Sequence, residues 1–382
     1  MPKAITPSHI RANNKQQIYN HIYWSRKTSQ QEMLYALHLS RPTIAAKLTE
    51  LENEGLIFRC GTIEADQIGR KAVAYAIVPY FRIAIGVEIL RYCAKLIAVD
   101  LYGEPISRKV VDICFCNSSA YYTDICAAIN AFIDTLPVTR DHILGIGISL
   151  QGLASVDGRS IVYGKILSCT GLKVDVFEDS IHLPCNFVHD PAGAAMSELW
   201  VSPTLTDAIY LSLSSHPGGA VIASRRIRPG LHGHSATIEH VRAPGCNDLC
   251  YCGKRGCWDT LLKLNSLTDG DTLDSFFEYV RRGDDEAVKR WRTYLKNLAG
   301  MIAAAHLVFD EQYILGGHLA PYIRQEDIDF LYDEIRTYCP FVEEDNFICV
   351  SKMPSHNINI GISLPFIRAF LEEMGVDMDH RG

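Results

Sequence analysis

The densest chemistry in the sequence lies between residues 240 and 257. His240 is followed by Cys250-Tyr251-Cys252-Gly253-Lys254-Arg255-Gly256-Cys257. One imidazole and three thiolates close a tetrahedron around Zn2+, and a closed tetrahedron has no open position for a reacting water. The expected role of His240, Cys250, Cys252 and Cys257 is therefore structural. Gly253 and Gly256 let the backbone fold tightly round the ion. Thiolate-rich ligation favours zinc over magnesium or calcium. Cys246 is a further thiol nearby that ranks below these four. The alternative is a loop of reduced cysteines without metal. With one ring nitrogen on the metal, His240 could hold its other toward a ligand.

A second group of residues suits phosphates and base edges. Ser40-Arg41-Pro42-Thr43 begins a segment whose Ile44, Leu48 and Leu51 share one helical face, and Arg41, Thr43 and Lys47 lie off it. Arg41 or Lys47 could take guanine edges or phosphates, and Thr43 a phosphate or a thymine methyl. Ser40 is placed to cap this helix, with Pro42 in its first turn, where a missing N–H costs little.

The surrounding pattern supplies the elements that would position these groups. A helix is expected over Asn13–Tyr23, and a second from a Ser29/Glu32 capping box to about Leu37. The Ser40 helix comes third and ends at Gly55, and Leu56-Ile57-Phe58 reads as a strand. Gly61 to Ala74, with Gly69-Arg70-Lys71, reads as a wing whose basic Arg70 and Lys71 reach phosphate or the minor groove. Helix, helix, turn, helix and strand make a winged helix-turn-helix; a small protein-interaction domain is the alternative.

Charge separates this head from the body. The chain has 382 residues and a net charge of −7. Residues 1–80 hold ten Lys/Arg against six Asp/Glu, and the remainder holds 27 against 38. A basic head on an acidic body is the asymmetry of a DNA-reading module joined to something else. With 48% apolar and 21% charged residues, the composition excludes disordered, collagen-like and coiled-coil chains.

No signal-peptide core stands at Met1–Pro7, and Ala72–Leu90 is too short and polar to span a bilayer. Thirteen cysteines without a secretory signal predict reduced thiols and a cytoplasmic chain.

From Tyr80 the texture is α/β. Strands are expected at Arg82–Ile89, Ala94–Asp100, after Gly103, and at His142–Leu150. Others follow at Ala208–Leu213 and Gly219–Ser224. Helices are expected at Thr123–Leu136, Leu273–Arg282, Glu286–Phe309 and Ile358–Met374. Strands in threes followed by helices occur twice, which predicts a duplicated lobe with a cleft between the copies. Gly145-Ile146-Gly147 lacks the third glycine of a dinucleotide fingerprint.

Over nearly its whole length the chain resembles the ROK family (repressors, open reading frames and sugar kinases). Glu239-His240 followed by Cys250–Asp259 is similar to the family's Gly-His…Cys-x-Cys-Gly-x-x-Gly-Cys-x-Glu signature. Gly69-Arg70-Lys71 resembles the Gly-Gly-Arg-Pro wing of its repressors. Gly145-Ile146-Gly147-Ile148 and Leu315-Gly316-Gly317 resemble two of its turns and strands. The resemblance implies a winged helix over 1–75 and a two-lobed sugar-kinase/actin-like (ribonuclease H-like) fold. Residues 76–191 with 355–382 would form the first lobe, and 192–354 the second.

Departures from the family pattern bear on function. Where ROK kinases have Asp-x-Gly-Gly-Thr, this chain has Ile85-Gly86-Val87-Glu88-Ile89-Leu90-Arg91. The second phosphate loop stands as Ser214-Ser215-His216-Pro217-Gly218. A phosphate cradle needs small residues and free N–H groups, so the resemblance implies a kinase-like body that is not an enzyme. His189-Asp190-Pro191-Ala192 keeps the general-base aspartate in place, although a buried Asp190 capping the following helix would look the same. The family's sugar contacts map onto Ser168, Asp190, Thr237, His240 and Asp259, with Thr237 replacing a glutamate. The expected function is a transcriptional repressor that binds double-stranded operator DNA, responds to a sugar or sugar phosphate and forms a homodimer or homotetramer. The alternatives are an ATP-dependent sugar kinase and an effector-blind regulator controlled by a protein partner.

Overall fold

The computed structural model describes residues 7–63, 71–341, 346–353 and 357–379, with side chains described from residue 13 onward. It opens with α1 (Pro7–Ser25), which buries Ile18, Tyr19, Ile22 and Tyr23 along one face. After β1 (Thr28–Ser29), Ser29 caps α2 (Gln30–Leu37). Ser29 Oγ accepts from the Glu32 N–H at 3.3 Å, and the Glu32 carboxylate accepts from the Ser29 N–H at 2.6 Å. These reciprocal bonds satisfy donors that a helix start leaves open. Ser40 caps α3 (Arg41–Asn53) through the Thr43 N–H, and Ile44, Leu48 and Leu51 point inward. β2 (Ile57–Ile63) and β3 (Ala72–Ile77) form the wing hairpin, with β1 on the far side of β3. Gly69 and Arg70 lie outside the described residues. Lys71 stands exposed immediately before β3, at the connecting end of the hairpin.

The first sheet contains β4 (Ile83–Ile89), β5 (Cys93–Val99), β6 (Pro105–Asp112), then, past α4 (Ser119–Ile133), β7 (Ile143–Leu150). The short hairpin of β8 (Leu153–Ala154) and β9 (Ile161–Tyr163) and helix α5 (Asp175–Ile181) lead to its last strand, β10 (Cys185–Phe187). Its order is β10-β7-β4-β5-β6, with β4, β7 and β10 parallel. Every residue of β4 is buried, as a central strand covered on both faces requires.

α6 (Asp190–Val201) leads to β11 (Ala208–Ser212), β12 (Gly218–Ala223) and β13 (Arg226–Arg228). Helices α7 (Asp259–Leu262), α8 (Leu264–Thr268), α9 (Leu273–Arg282) and α10 (Asp285–His306) follow. β14 (Tyr313–Gly316), α11 (Gln325–Tyr338) and β15 (Ile348–Val350) complete the second sheet, ordered β13-β12-β11-β14-β15. Three antiparallel strands followed by two parallel ones recur in the same order, so the expected duplication of an α/β lobe is present. None of the described helices is long and apolar enough to cross a membrane.

The chain ends in α12 (Ile358–Gly361) and α13 (Leu364–Glu373), where the sequence predicts one helix from Ile358 to Met374. Pro365, in the first turn of α13, has no N–H to continue α12, so a new helix starts there. α12 presses its backbone directly onto the first sheet. A Cβ on Gly86 would stand 1.7 Å from Asn359 O, and one on Gly147 would stand 1.8 Å from Ile362 O. Gly147 thus serves helix–sheet contact.

Head and first lobe share one apolar core. Ile18, Tyr19, Ile44 and Leu51 cluster with Ile97, Val99, Leu101, Ile367, Leu371, Val376 and Met378. The Tyr23 hydroxyl donates to Leu101 O at 3.2 Å, and the Arg26 guanidinium lies 3.5 Å from the Tyr102 ring centroid. The C-terminal segment extends this seam. The Asp377 N–H donates to Asn20 Oδ1 at 3.0 Å, and Arg226 of β13 reaches both Glu372 and Asp379 at 3.0 Å. Arg225 is buried and donates to the carbonyls of Leu199, Ser202, Pro203 and Leu205, which closes the end of α6.

Candidate functional site

The second lobe's long excursion between β13 and α7 brings His240, Cys250, Cys252 and Cys257 together. Their ligand atoms all lie within 4.8 Å of one another. His240 Nδ1 is 3.8 Å from Cys250 Sγ, and Cys252 Sγ is 3.7 Å from Cys257 Sγ. A tetrahedral zinc with sulfur bonds of ~2.3 Å has ligand–ligand edges of about 3.8 Å, so these separations fit the ion. Burial pushes the Cys250 and Cys257 thiols above their ordinary range, and a bound dication is what would hold them as thiolates. Cys246 stands aside, with its Sγ 3.3 Å from Thr260 Oγ1. The second ring nitrogen of His240 is already engaged, 3.1 Å from the Tyr251 hydroxyl.

Between the lobes lies a cavity of about 620 Å3. The first lobe and the start of α6 contribute Glu88, Arg91, Gln151, Tyr163, Lys165, His189 and Asp190. The second contributes Ser212, Ser214, His216, Glu239, His240, Tyr251 and His318. The Cys250–Cys257 loop helps close it, since the Tyr163 hydroxyl of β9 donates to Cys252 O at 3.4 Å.

Asp190 stands in the first turn of α6 and accepts a hydrogen bond from the Ser149 hydroxyl on β7. No side chain caps this helix from His189. Burial, with Glu88 nearby, pushes the Asp190 pKa up to about 7, and burial alone pulls His189 down to about 4. Glu88 is buried, with Lys95 at 3.3 Å. Glu239 is only 4% exposed, and burial, with Asp259 adding to it, pushes its pKa up to about 8.

Three further residues singled out in the sequence do not line the cavity. Ser168 sits in a left-handed turn, and its carbonyl accepts from Asn117 Nδ2. The Thr237 hydroxyl donates to His234 O at 3.1 Å. Asp259 is buried behind the wall, where Oδ1 is 2.7 Å from His216 Nδ1 and Oδ2 is 3.5 Å from Cys250 Sγ. Glu88, His216, Glu239 and Tyr251 stand on the wall instead. Sequence reading missed their role because it judged them only as departures from a pattern. The signal was Glu239 itself, an ionisable residue immediately before a candidate metal ligand.

The candidate nucleic-acid interface is on α3. Arg41 is exposed and donates to Gln31 Oε1 at 2.9 Å. Ser40 and Thr43 hydroxyls are 2.8 Å apart at the cap. Lys47 is turned aside, with its ammonium 2.5 Å from Glu50, which Lys15 also approaches at 3.2 Å. Besides Arg41, the exposed residues of α3 are Pro42, Ala45, Ala46, Thr49 and Asn53, and none of these carries charge. Lys27 Nζ, donating to Thr62 O at 3.3 Å, ties the head to the wing.

A profile described as the ROK family matches residues 84–328. The chain is 24% identical over 296 residues, 72% of each protein, to the DNA-binding transcriptional dual regulator NagC of Escherichia coli K12. The same identity and span hold for the N-acetylglucosamine repressor of E. coli O6:H1. Among solved structures, a ROK family transcriptional regulator described as a homolog of the E. coli MLC protein matches with a TM-score of 0.73 at 20% identity. That match covers 97% of this chain and 99% of the other. A ROK family glucokinase from Streptomyces griseus, in complex with glucose and AMPPNP, matches with a TM-score of 0.63 at 21% identity. It covers 74% of this chain and 98% of the other. At these identities the two structures speak for the fold alone.

Proposed function

The chain belongs to the ROK family, and on that premise we propose that it is a sugar-responsive transcriptional repressor. The winged helix binds double-stranded operator DNA, and the interlobe cavity receives the effector. The observation that carries this reading is the core shared by the head and the first lobe, which leaves the head no independent hinge. A movement between lobes then reaches α1 through Arg226, Asp379, Asp377 and Asn20. In the assembled protein, taken to be a homodimer or homotetramer, such a movement changes the spacing of paired heads.

His240, Cys250, Cys252 and Cys257 hold structural zinc, which fixes the loop carrying Tyr251 against the cavity. At the DNA, Arg41 reads base edges, Ser40 and Thr43 meet phosphate, and Lys47 joins them once it leaves Glu50. Lys71 and the wing tip reach the flanking backbone. The domains run 1–75 for the head, 76–191 with 355–382 for the first lobe, and 192–354 for the second.

Phosphotransfer is absent from this function. β4 stays in its ladder through Ile89, paired to Ala94, and the hairpin closes at once through the Leu90 N–H to Cys93 O at 2.9 Å. Val87 and Ile89 are fully buried. That geometry supports a closed hairpin in place of an open cradle of N–H groups.

Fluorescence anisotropy with DNA from the chain's own upstream region tests the reading. Binding should weaken steeply with salt, with a log–log slope of about −0.9 per phosphate contacted. No salt-sensitive binding would sink it. ATP-dependent phosphorylation of a hexose, abolished by Asp190→Asn, would establish the kinase instead.

A further inference from the structure

We propose that Glu239 and His216 are the ligand-reading groups of the interlobe cavity, and that they take an unphosphorylated sugar in preference to its phosphate ester. The inference rests on the reading of this cavity as the effector site.

Glu239 occupies the short turn Ile238–His240, which enters the metal loop. Its neighbour is a metal ligand, so its backbone is held firmly. The side chain lines the cavity and is 4% exposed. Its Oε2 has no hydrogen-bond partner, and Oε1 lies 3.7 Å from His240 Nε2. A carboxyl oxygen taken out of water without a donor is destabilising, and this one borders a space large enough to supply one. A volume of about 620 Å3 falls within the ~300–1,000 Å3 usual for small-molecule sites.

His216 faces the same space with one nitrogen committed. Asp259 Oδ1 lies 2.7 Å from Nδ1, and the Tyr251 ring sits edge-on at 4.8 Å between centroids. Asp259 also meets Cys250 through its other oxygen. The metal loop, Asp259 and His216 therefore form one braced unit, and Nε2 is left to meet the ligand. A histidine held this way orients a hydroxyl, either donating to it or accepting from it.

The distribution of charge selects the ligand. Three carboxyl groups, from Glu88, Asp190 and Glu239, stand at the buried wall. Among the described residues lining the cavity, the basic side chains are Arg91 and Lys165, and both are exposed at the rim. A phosphoryl dianion at the wall would face carboxyl oxygens in a desolvated place with no guanidinium or ammonium of the lining beside it. Hydroxyl groups match the wall, because each donates an O–H to a carboxyl oxygen.

Isothermal calorimetry on the full chain tests this with D-glucose, D-xylose and N-acetyl-D-glucosamine, and with the 6-phosphates of the two hexoses. At least one free sugar should bind, a free hexose at least tenfold more tightly than its 6-phosphate. Glu239→Gln and His216→Asn should each weaken the bound sugar tenfold or more. Metal content and melting temperature of the ligand-free variants check their folding. If Glu239→Gln loses metal, Glu239→Asp replaces it, and the same loss is expected. Three results would overturn the proposal: tighter binding of a 6-phosphate, wild-type sugar affinity in both variants, or no binding of any panel member at millimolar concentration. Salt-sensitive DNA binding, measured separately without sugar, tells failure here from failure of the repressor reading.

Discussion

The cavity and the recognition helix treat their polar groups in opposite ways. In the cavity, Glu239 is buried with an oxygen that meets no donor, and Asp190 relies on one serine hydroxyl. On α3, Arg41 and Lys47 are already matched by Gln31 and Glu50 of the same head. Exposed pairs of that kind contribute only ~0–1 kcal/mol and exchange readily for phosphate. A buried carboxyl without donors costs about 1–3 kcal/mol or more. The helix can thus wait for its partner at little cost, whereas the cavity carries a standing cost that a ligand relieves.

Removing the brace of the cavity should have the largest effect. Cys250→Ser, or chelation of the metal, is expected to lower Tm by on the order of 10 °C. Elemental analysis should find zinc at one per chain in the wild type and little in the variant. An unchanged Tm would mean that the loop stands without metal.

Next comes the pH dependence set by Asp190. Its folded pKa of about 7 lies above the ordinary 3.8, so the folded chain keeps a proton that the unfolded chain releases. Stability is lost as pH rises between those values, by on the order of 2 kcal/mol once water in the cavity is allowed for. Asp190→Asn should therefore match wild-type Tm near pH 4 and exceed it by a few degrees at pH 8. Parallel curves would mean that the carboxyl ionises freely in the folded chain.

The smallest effects belong to α3. Arg41→Ala should weaken DNA binding about tenfold. Lys47→Ala should cost less than Arg41→Ala, roughly threefold, and lower the salt slope by up to ~1, because Glu50 must first be displaced. A larger loss at Lys47 would show that the Glu50 pair is broken before DNA arrives, and would blur the contrast with the cavity.

Local signals were legible in the sequence. The Ser29/Glu32 box and the Ser40 cap depend on neighbours within three residues, the His240–Cys257 set on a single loop, and the folded chain places each together. Six of the ten strands of the two sheets were legible as apolar runs, whereas β10, β13, β14 and β15, three or four residues each, were too short to read. The wall of the cavity was not. Which of Thr237 and Glu239 faces the cavity depends on the path of a loop pinned by residues up to 20 positions away. Thr237 and Ser168 turn to nearby backbone groups, and those turns follow from tertiary packing. The closing of α6 by Arg225 was not legible either, since its four carbonyl partners lie 20 to 26 residues earlier.

The seam between the head and the chain's end has a consequence for synthesis. Ile18, Tyr19 and Ile22 leave the ribosome long before Ile367, Leu371, Val376 and Met378, yet all of them share one core. The head therefore cannot finish its core until synthesis has passed Met378. A prematurely terminated product would carry the recognition helix on an open, incompletely packed module. Synthesis as far as Met378 thus becomes a condition for a fully packed DNA-binding head.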